Sequence, residues 1–353
     1  MNMVRNFRTE LNEPQLNRLV EAINQLDGSR VLLTGGTGFV GKWLLQMARD
    51  AQANSANQIE IVIPTRSLGA PHVQSTKQIG CPNVSWIERN FLEEKIDFGK
   101  FDMIIHAATP ASAKLNAENP SEMLRINMVS MESVLRLAGD NIPLLFTSSG
   151  AIYGTQPESV KHISEKDIDP NPPSDQLNAY ARGKQAAERM CRAAGIDGRC
   201  TPIIARLFAF GGEYLPRDAH FAIGNFVQNV LDQKPIQIAG DGRARRSYLF
   251  GADMAIWLWS ALAHGAQGSP FHIGSEHSVS ILELALAVAK ASDQVLDFLP
   301  EIRVAQNSNP AEAIHQYVPA NSKTRQILQV SEWTSLEETI NAMLLSAVMT
   351  ERH

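Results

Sequence analysis

An apolar run, Val31-Leu-Leu-Thr34, passes directly into Gly35-Gly36-Thr37-Gly38-Phe39-Val40-Gly41, and Lys42-Trp-Leu-Leu-Gln-Met-Ala48 then opens a helix pattern. Gly36, Gly38 and Gly41 satisfy G-x-G-x-x-G, while Gly35, Gly38 and Gly41 equally satisfy G-x-x-G-x-x-G. Glycine is needed here because the turn takes unusual backbone angles, an anion must approach the backbone, and the helix must pack hard on the strand. The helix start then offers free N–H groups and a positive dipole end to a phosphate. By itself the motif is weak, since glycine-rich loops join many strands to helices. Its place between an apolar strand and a helix makes Gly35, Gly38, Phe39, Val40 and Gly41 a dinucleotide-binding turn.

The same alternation continues along the chain. Strand candidates are 31–34, 59–63, 84–88, 103–108, 143–149 and 202–208, with helix patterns at 41–53, 121–138 and 178–195. Apolar strands separated by helices predict a parallel sheet covered on both faces. The fold class expected is α/β: a Rossmann-type doubly wound parallel sheet with a smaller C-terminal substrate-binding lobe. Residues 1–28 form an N-terminal helical extension, with an amphipathic helix over 14–27. The dinucleotide domain covers 29–210, with 243–275 returning to it and 270–275 adding one more strand. Residues 211–242 and 276–353 make the lobe.

Composition narrows the function classes. The 353 residues carry 32 Lys+Arg against 37 Asp+Glu, a formal charge of −5, and 44% are hydrophobic. An acidic chain without basic runs is a poor binder of nucleic acid or anionic membrane. No apolar run reaches the roughly 20 residues of a membrane span. Cys81, Cys191 and Cys200 form no disulfide framework and lack zinc spacing, and the histidines are dispersed, so no metal is expected. The polar start is unlike a secretory signal, and the expected location is cytoplasmic.

Two further positions carry chemistry. The residue ending the second strand of such a sheet meets the adenosine ribose, where an acid suits NAD and a base suits the 2′-phosphate of NADP. Here Pro64-Thr65-Arg66 offers no acid, and the Arg66 fork matches a phosphate, so NADP is slightly preferred over NAD. Tyr180-Ala-Arg-Gly-Lys184 places a phenol and an ammonium on one helix face. A nearby cation is expected to lower the tyrosine from its usual value near 10 and make it a usable acid and base. Ser148 and Ser149 end the fifth strand, where such a sheet opens its ligand crevice.

Taken in order, these residues resemble the extended short-chain dehydrogenase/reductase family, the NAD-dependent epimerase/dehydratase group acting on nucleotide sugars. The resemblance covers roughly residues 30–345. It implies that Gly35, Gly38 and Gly41 form the pyrophosphate turn. Asn90 and Phe91 then stand at the adenine end, and His106, Ala107 and Ala108 form the strand-four motif beside the cofactor. Asn127 lies near the nicotinamide end. Ser149, Tyr180 and Lys184 are implied as the catalytic set, with Tyr180 and Lys184 also touching cofactor. Asn225 and Arg246 are implied to bind substrate beside Ser149, with Arg243 and Arg245 adding positive potential. The partner implied is a nucleotide-diphosphate sugar, and the usual assembly is a homodimer.

Departures from the family pattern select among reactions. Nucleotide-sugar 4,6-dehydratases resembling this chain carry an acidic pair after the active-site hydroxyl, and here those positions are Gly150 and Ala151. Neither transfers a proton, so 4,6-dehydration is disfavoured. The Arg-x-Phe-Asn pattern reads Arg206-Leu-Phe208-Ala209, which removes a polar substrate contact. The expected activity is hydride transfer at a sugar carbon, either 4-keto reduction or 4-epimerisation. The alternative is a non-catalytic cofactor-binding regulatory or assembly protein of the same fold.

Overall fold

The computed structural model describes residues 11–90, 99–109, 112–167, 177–219, 221–265, 270–306, 309 and 312–350. In chain order its elements are α1 (Glu13–Asn24), β1 (Arg30–Thr34), α2 (Phe39–Ala53), β2 (Glu60–Thr65), α3 (Pro71–Lys77), β3 (Val84–Glu88), β4 (Met103–His106), α4 (Ala113–Glu118) and α5 (Pro120–Leu137). Then come β5 (Pro143–Ser149), a short 3-10 turn (Gly150–Tyr153), α6 (Ala179–Ile196), β6 (Thr201–Leu207), β7 (Phe210–Gly211), α7 (Ala222–Leu231), β8 (Ile236–Ile238), β9 (Arg245–Arg246), β10 (Leu249–Phe250) and α8 (Gly251–His264). The chain closes with β11 (Phe271–Ile273), β12 (Val279–Ser280), α9 (Ile281–Leu296), β13 (Ile302–Val304), β14 (Gln316–Tyr317), α10 (Ser322–Leu328) and α11 (Leu336–Thr350).

Among the described residues, the main sheet has seven strands in the order β11-β6-β5-β4-β1-β2-β3. Every neighbouring pair in it is parallel. This is the doubly wound arrangement expected of alternating strands and helices, and the late run at 270–275 does supply the edge strand β11. The strand order reverses beside β1, whose neighbours are β2 and β4, so a crevice opens above the C-terminal ends of β1 and β4. Val31, Leu32 and Leu33 are fully buried because helices cover both faces.

One face packs on α2, α8 and α1. Trp43, Leu44, Trp257 and Trp259 are buried there, and Leu19 and Ile23 of α1 join the same core. The α1 start is fixed by a capping box between Asn12 and Gln15. Gln15 Nε2 also donates to Asp253 Oδ1 on α8 at 2.6 Å. The other face packs on α5 and α6 through Met131, Val134, Ala187 and Cys191. A separate core joins α7, α9 and α11 around Val227, Leu284, Val288 and Leu344. Beside it, β9 lies between β12 and β14 in a three-stranded sheet, with Tyr317 opposite Arg246.

Candidate active site

The glycine turn is closed to side chains. Gly35 has φ +75°, and a Cβ there would lie 2.5 Å from the Ala107 carbonyl oxygen. A Cβ on Gly41 would run into the Gly35 carbonyl oxygen. Gly38 is the N-cap of α2 and brings no side-chain acceptor, so the helix start presents its N–H groups to the crevice. Phe39 and Val40 lean on the core, and Phe39 stacks on Phe210 at 6.1 Å. His106 is buried at the end of β4, 2.8 Å from Thr34 Oγ1. Ala107 and Ala108 follow it, half-buried. Arg66 is exposed just beyond β2, and Asn90 is half-buried after β3. Phe91 and His220 lie outside the described residues.

The elements β5 and α6 carry the expected catalytic residues. Ser149 ends β5, and its Oγ accepts the Ala151 N–H at 3.1 Å. Tyr180 lies in the first turn of α6, which Asn178 caps and Asn116 Oδ1 holds through the Tyr180 N–H at 2.9 Å. One turn on, Lys184 Nζ donates to the Thr147 carbonyl at 2.6 Å and lies 5.8 Å from the Tyr180 ring centroid. The spacing of four residues therefore does bring phenol and ammonium to one face. Asn127 on α5 backs this region. Its Oδ1 is buried without a partner, and a Cβ on Gly183 would meet its side chain at 2.9 Å.

The charge states differ from the sequence expectation. Tyr180 is raised, not lowered: burial dominates and the Ser149 hydroxyl opposes it only in part. Lys184 falls to about 7, because it is fully desolvated and Glu188 offsets little of that cost. The cation is spent on the Thr147 carbonyl and in its own desolvation, so Tyr180 keeps its proton in the protein alone. His106 is held down to about 3 by burial and by Lys184.

Behind the site runs a buried polar chain that locks β5, β6, α6 and β11 together. Ser148 Oγ donates to Glu188 Oε1 at 2.6 Å, and Arg206 grips both Glu188 oxygens at 3.0 and 2.9 Å. Arg206 Nη1 donates to Tyr153 Oη at 2.6 Å. Tyr153 lies 2.5 Å from His272 Nε2, and His272 Nδ1 is 2.9 Å from the Ala320 carbonyl. A neutral His272 with its proton on Nδ1 satisfies all of these at once. Tyr153 is therefore held within this buried chain by Arg206 and His272.

On the lobe side, Asn225 sits in the first turn of α7, half-buried. Arg246 lies on β9 and donates through Nη1 to the Arg245 carbonyl at 2.8 Å. Its neighbours are already neutralised: Arg243 pairs with Asp241, and Arg245 with Glu283 at 3.5 Å. Arg243 and Arg245, expected to add positive potential, thus each share their charge with a carboxylate. Sequence reading also missed Tyr317 and the Phe208 ring, which crowd Gly150. A Cβ on Gly150 would lie 2.6 Å from Phe208 Cε1 and 2.8 Å from Tyr317 Oη.

A doubly wound sheet, a side-chain-free phosphate turn and a Ser-Tyr-Lys group at the strand ends define a nicotinamide-dependent enzyme class. The family model "NAD dependent epimerase/dehydratase family" matches residues 31–274, and the chain belongs to that family. It is 27% identical over 323 residues to UDP-glucuronic acid decarboxylase 2 of Arabidopsis thaliana, covering 90% of this chain and 68% of that protein. In fold it is similar to epimerase Mth375 of Methanothermobacter thermautotrophicus, with TM-score 0.76, 20% identity, and 96% and 97% of the two chains covered. It is also similar to UDP-glucuronic acid 4-epimerase of Bacillus cereus, solved with UDP-glucuronic acid and NAD, with TM-score 0.71, 21% identity, and 91% and 99% covered. No helix among the described residues is long and apolar enough to cross a membrane.

Proposed function

We propose that this chain transfers hydride at C4 of a nucleotide-diphosphate sugar, as a 4-epimerase or a 4-ketoreductase, without 4,6-dehydration. The observation that carries this reading is the crowding at Gly150. Positions 150 and 151, directly after Ser149, carry no proton-transferring side chain, and the Phe208 ring and Tyr317 hydroxyl fill the space one at 150 would need.

The residues fit a dinucleotide. Gly35 and Gly41 leave the backbone bare, the α2 start has uncapped N–H groups, and Asn127 Oδ1 awaits a donor. Gly35, Gly38 and the α2 start would hold the pyrophosphate, with Asn127, Tyr180 and Lys184 at the nicotinamide end. When bound, the nicotinamide supplies hydride exchange and, in its oxidised form, a positive charge. Tyr180 takes the proton of the sugar hydroxyl as that carbon is oxidised and returns it on reduction. Ser149 hydrogen-bonds the same oxygen and fixes the reacting carbon. Arg246 offers its fork to the diphosphate. Residues 211–242 and 276–353 act as the lobe that grips the sugar nucleotide, and the working unit is a homodimer.

For the cofactor, exposed Arg66 supports NADP, whereas the B. cereus epimerase was solved with NAD. Affinities of both for the chain and for Arg66→Asp decide: loss of NADP binding alone assigns the 2′-phosphate to Arg66. The decarboxylase relatives favour a second reading, in which a uronic acid oxidised at C4 loses its carboxylate. The test of the first reading is product analysis with a panel of UDP-sugars and their 4-keto derivatives. A C4 epimer or a reduced 4-ketone supports it. A pentose selects the second reading, and no turnover with intact cofactor binding restores the non-catalytic alternative.

A further inference from the structure

A second cavity, of about 630 Å³, runs along α2 from Lys42 to Arg49, between the end of α3, residues 212–217 and α11. Among the described residues, its walls include none of Ser149, Tyr180, Lys184 and Arg246. Its size is that of a small-molecule site, and like such sites it sets a few polar groups among apolar ones. Tyr214, Leu215, Met343 and Ala347 supply apolar wall.

The charges on it are unequal. Lys42, Arg49 and Arg217 line it together with one carboxylate, Glu213. Arg49 is committed, to Asp50 at 2.6 Å and to the Ile79 carbonyl at 3.0 Å. The other two cations are not. Arg217 Nη1 is buried with no hydrogen-bond partner among the described residues, and Asp232 meets this side chain only as a nearby charge. Lys42 is half-buried, with Nζ 5.4 Å from the Tyr214 ring centroid, and its desolvation outweighs the attraction of Glu213. A buried donor left unsatisfied costs stability that a bound acceptor returns.

The backbone at the same place is strained. Tyr214 has φ +71°, a region that a bulky residue rarely takes. Trp43 fixes this turn: its indole N–H donates to the Glu213 carbonyl at 2.9 Å, and its ring meets Tyr214 edge-on at 5.5 Å. Strain held in this way by surrounding packing clusters at ligand sites.

We propose that this cavity is a second ligand site, which takes an organic phosphate, its phosphoryl group on Arg217 and Lys42 and its organic body against Tyr214, Leu215 and Met343. A guanidinium fork and an ammonium both suit a phosphoryl group. A phosphate monoester carries nearly two negative charges at neutral pH, which matches two uncommitted cations better than the single charge of a carboxylate. Inorganic phosphate would leave most of the cavity, and all of its apolar wall, without a partner. The site stands independently of the reaction at the sugar.

The test is calorimetric titration of the full chain saturated with dinucleotide. Phenyl phosphate is the probe, and inorganic phosphate and phenol each supply one half of it. Phenyl phosphate should bind once per chain, at least about tenfold tighter than either half. Arg217→Gln and Lys42→Met, each folded by circular dichroism, should weaken it by about tenfold or more, and Arg246→Met should leave it unmoved. Either cavity variant suffices if the other fails to fold. Binding of this pattern in a chain that turns over no nucleotide sugar supports the site and fails the functional reading alone. No binding to the parent overturns the proposal. So does an affinity that Arg246→Met abolishes and the cavity variants leave unchanged, since the probe then occupies the substrate cleft.

Discussion

Replacing Tyr180 by Phe removes one oxygen and leaves the α6 start, its Asn178 cap and the Asn116 contact in place. Turnover should fall by about 10²–10⁴-fold, the usual worth of a positioned acid–base group, while cofactor affinity measured by fluorescence titration falls by much less, since only one of its contacts is lost. Gly35→Ala should do the reverse kind of damage. The new methyl group faces the Ala107 carbonyl at 2.5 Å from a backbone at φ +75°. Cofactor affinity should fall more than tenfold, with a stability loss of at least about 1–2 kcal/mol by denaturant titration. The glycine turn and the Tyr180–Lys184 face were legible in the sequence, because a glycine run and a four-residue spacing are local patterns. The sign of the Tyr180 shift was not, because desolvation depends on what the rest of the chain packs over it.

Between elements, the Glu188–Arg206 pair ties α6 to β6 with both side chains about 95% buried. Removing Arg206 leaves the buried Glu188 with only the more distant Arg192, at 3.8 Å, as an ion-pair partner among the described residues. Arg206→Met should therefore cost about 3–5 kcal/mol in chemical denaturation. The long elements followed from apolar runs and helical spacing: the pattern over 121–138 is α5 (Pro120–Leu137), and that over 143–149 is β5. The strands β9, β12 and β14 have two residues each and show no periodicity. Their pairing is what sets Tyr317 opposite Arg246, so neither the pairing nor the approach of Tyr317 to Gly150 could be read from local sequence.

For the molecule as a whole, two buried histidines set an acid limit. His272 is held to about 4 and His106 to about 3, both chiefly by burial, against an ordinary value near 6.5. Below pH 6.5 the unfolded chain takes up protons that the folded chain refuses, so stability present above that pH is lost as the pH falls toward 4. Asp253 works in the opposite direction. Burial raises it to about 7, and the folded chain binds its proton through the same range. Two groups against one leave a net loss of up to about 1.4 kcal/mol per pH unit. Tm should drop steadily from pH 6.5 to 4, and a Tm that is flat or rises over that range would show that these histidines do not govern acid stability.

The crowding at Gly150 carries the central claim, that hydride moves at C4 without elimination. The direct measurement is nuclear magnetic resonance of the sugar after incubation with cofactor and UDP-hexoses, UDP-glucuronic acid and their 4-keto derivatives. The expected product keeps every carbon and the C6 oxygens and differs from its substrate only at C4. A 4-keto-6-deoxy sugar, or a pentose formed from the uronic acid, would contradict hydride transfer without elimination.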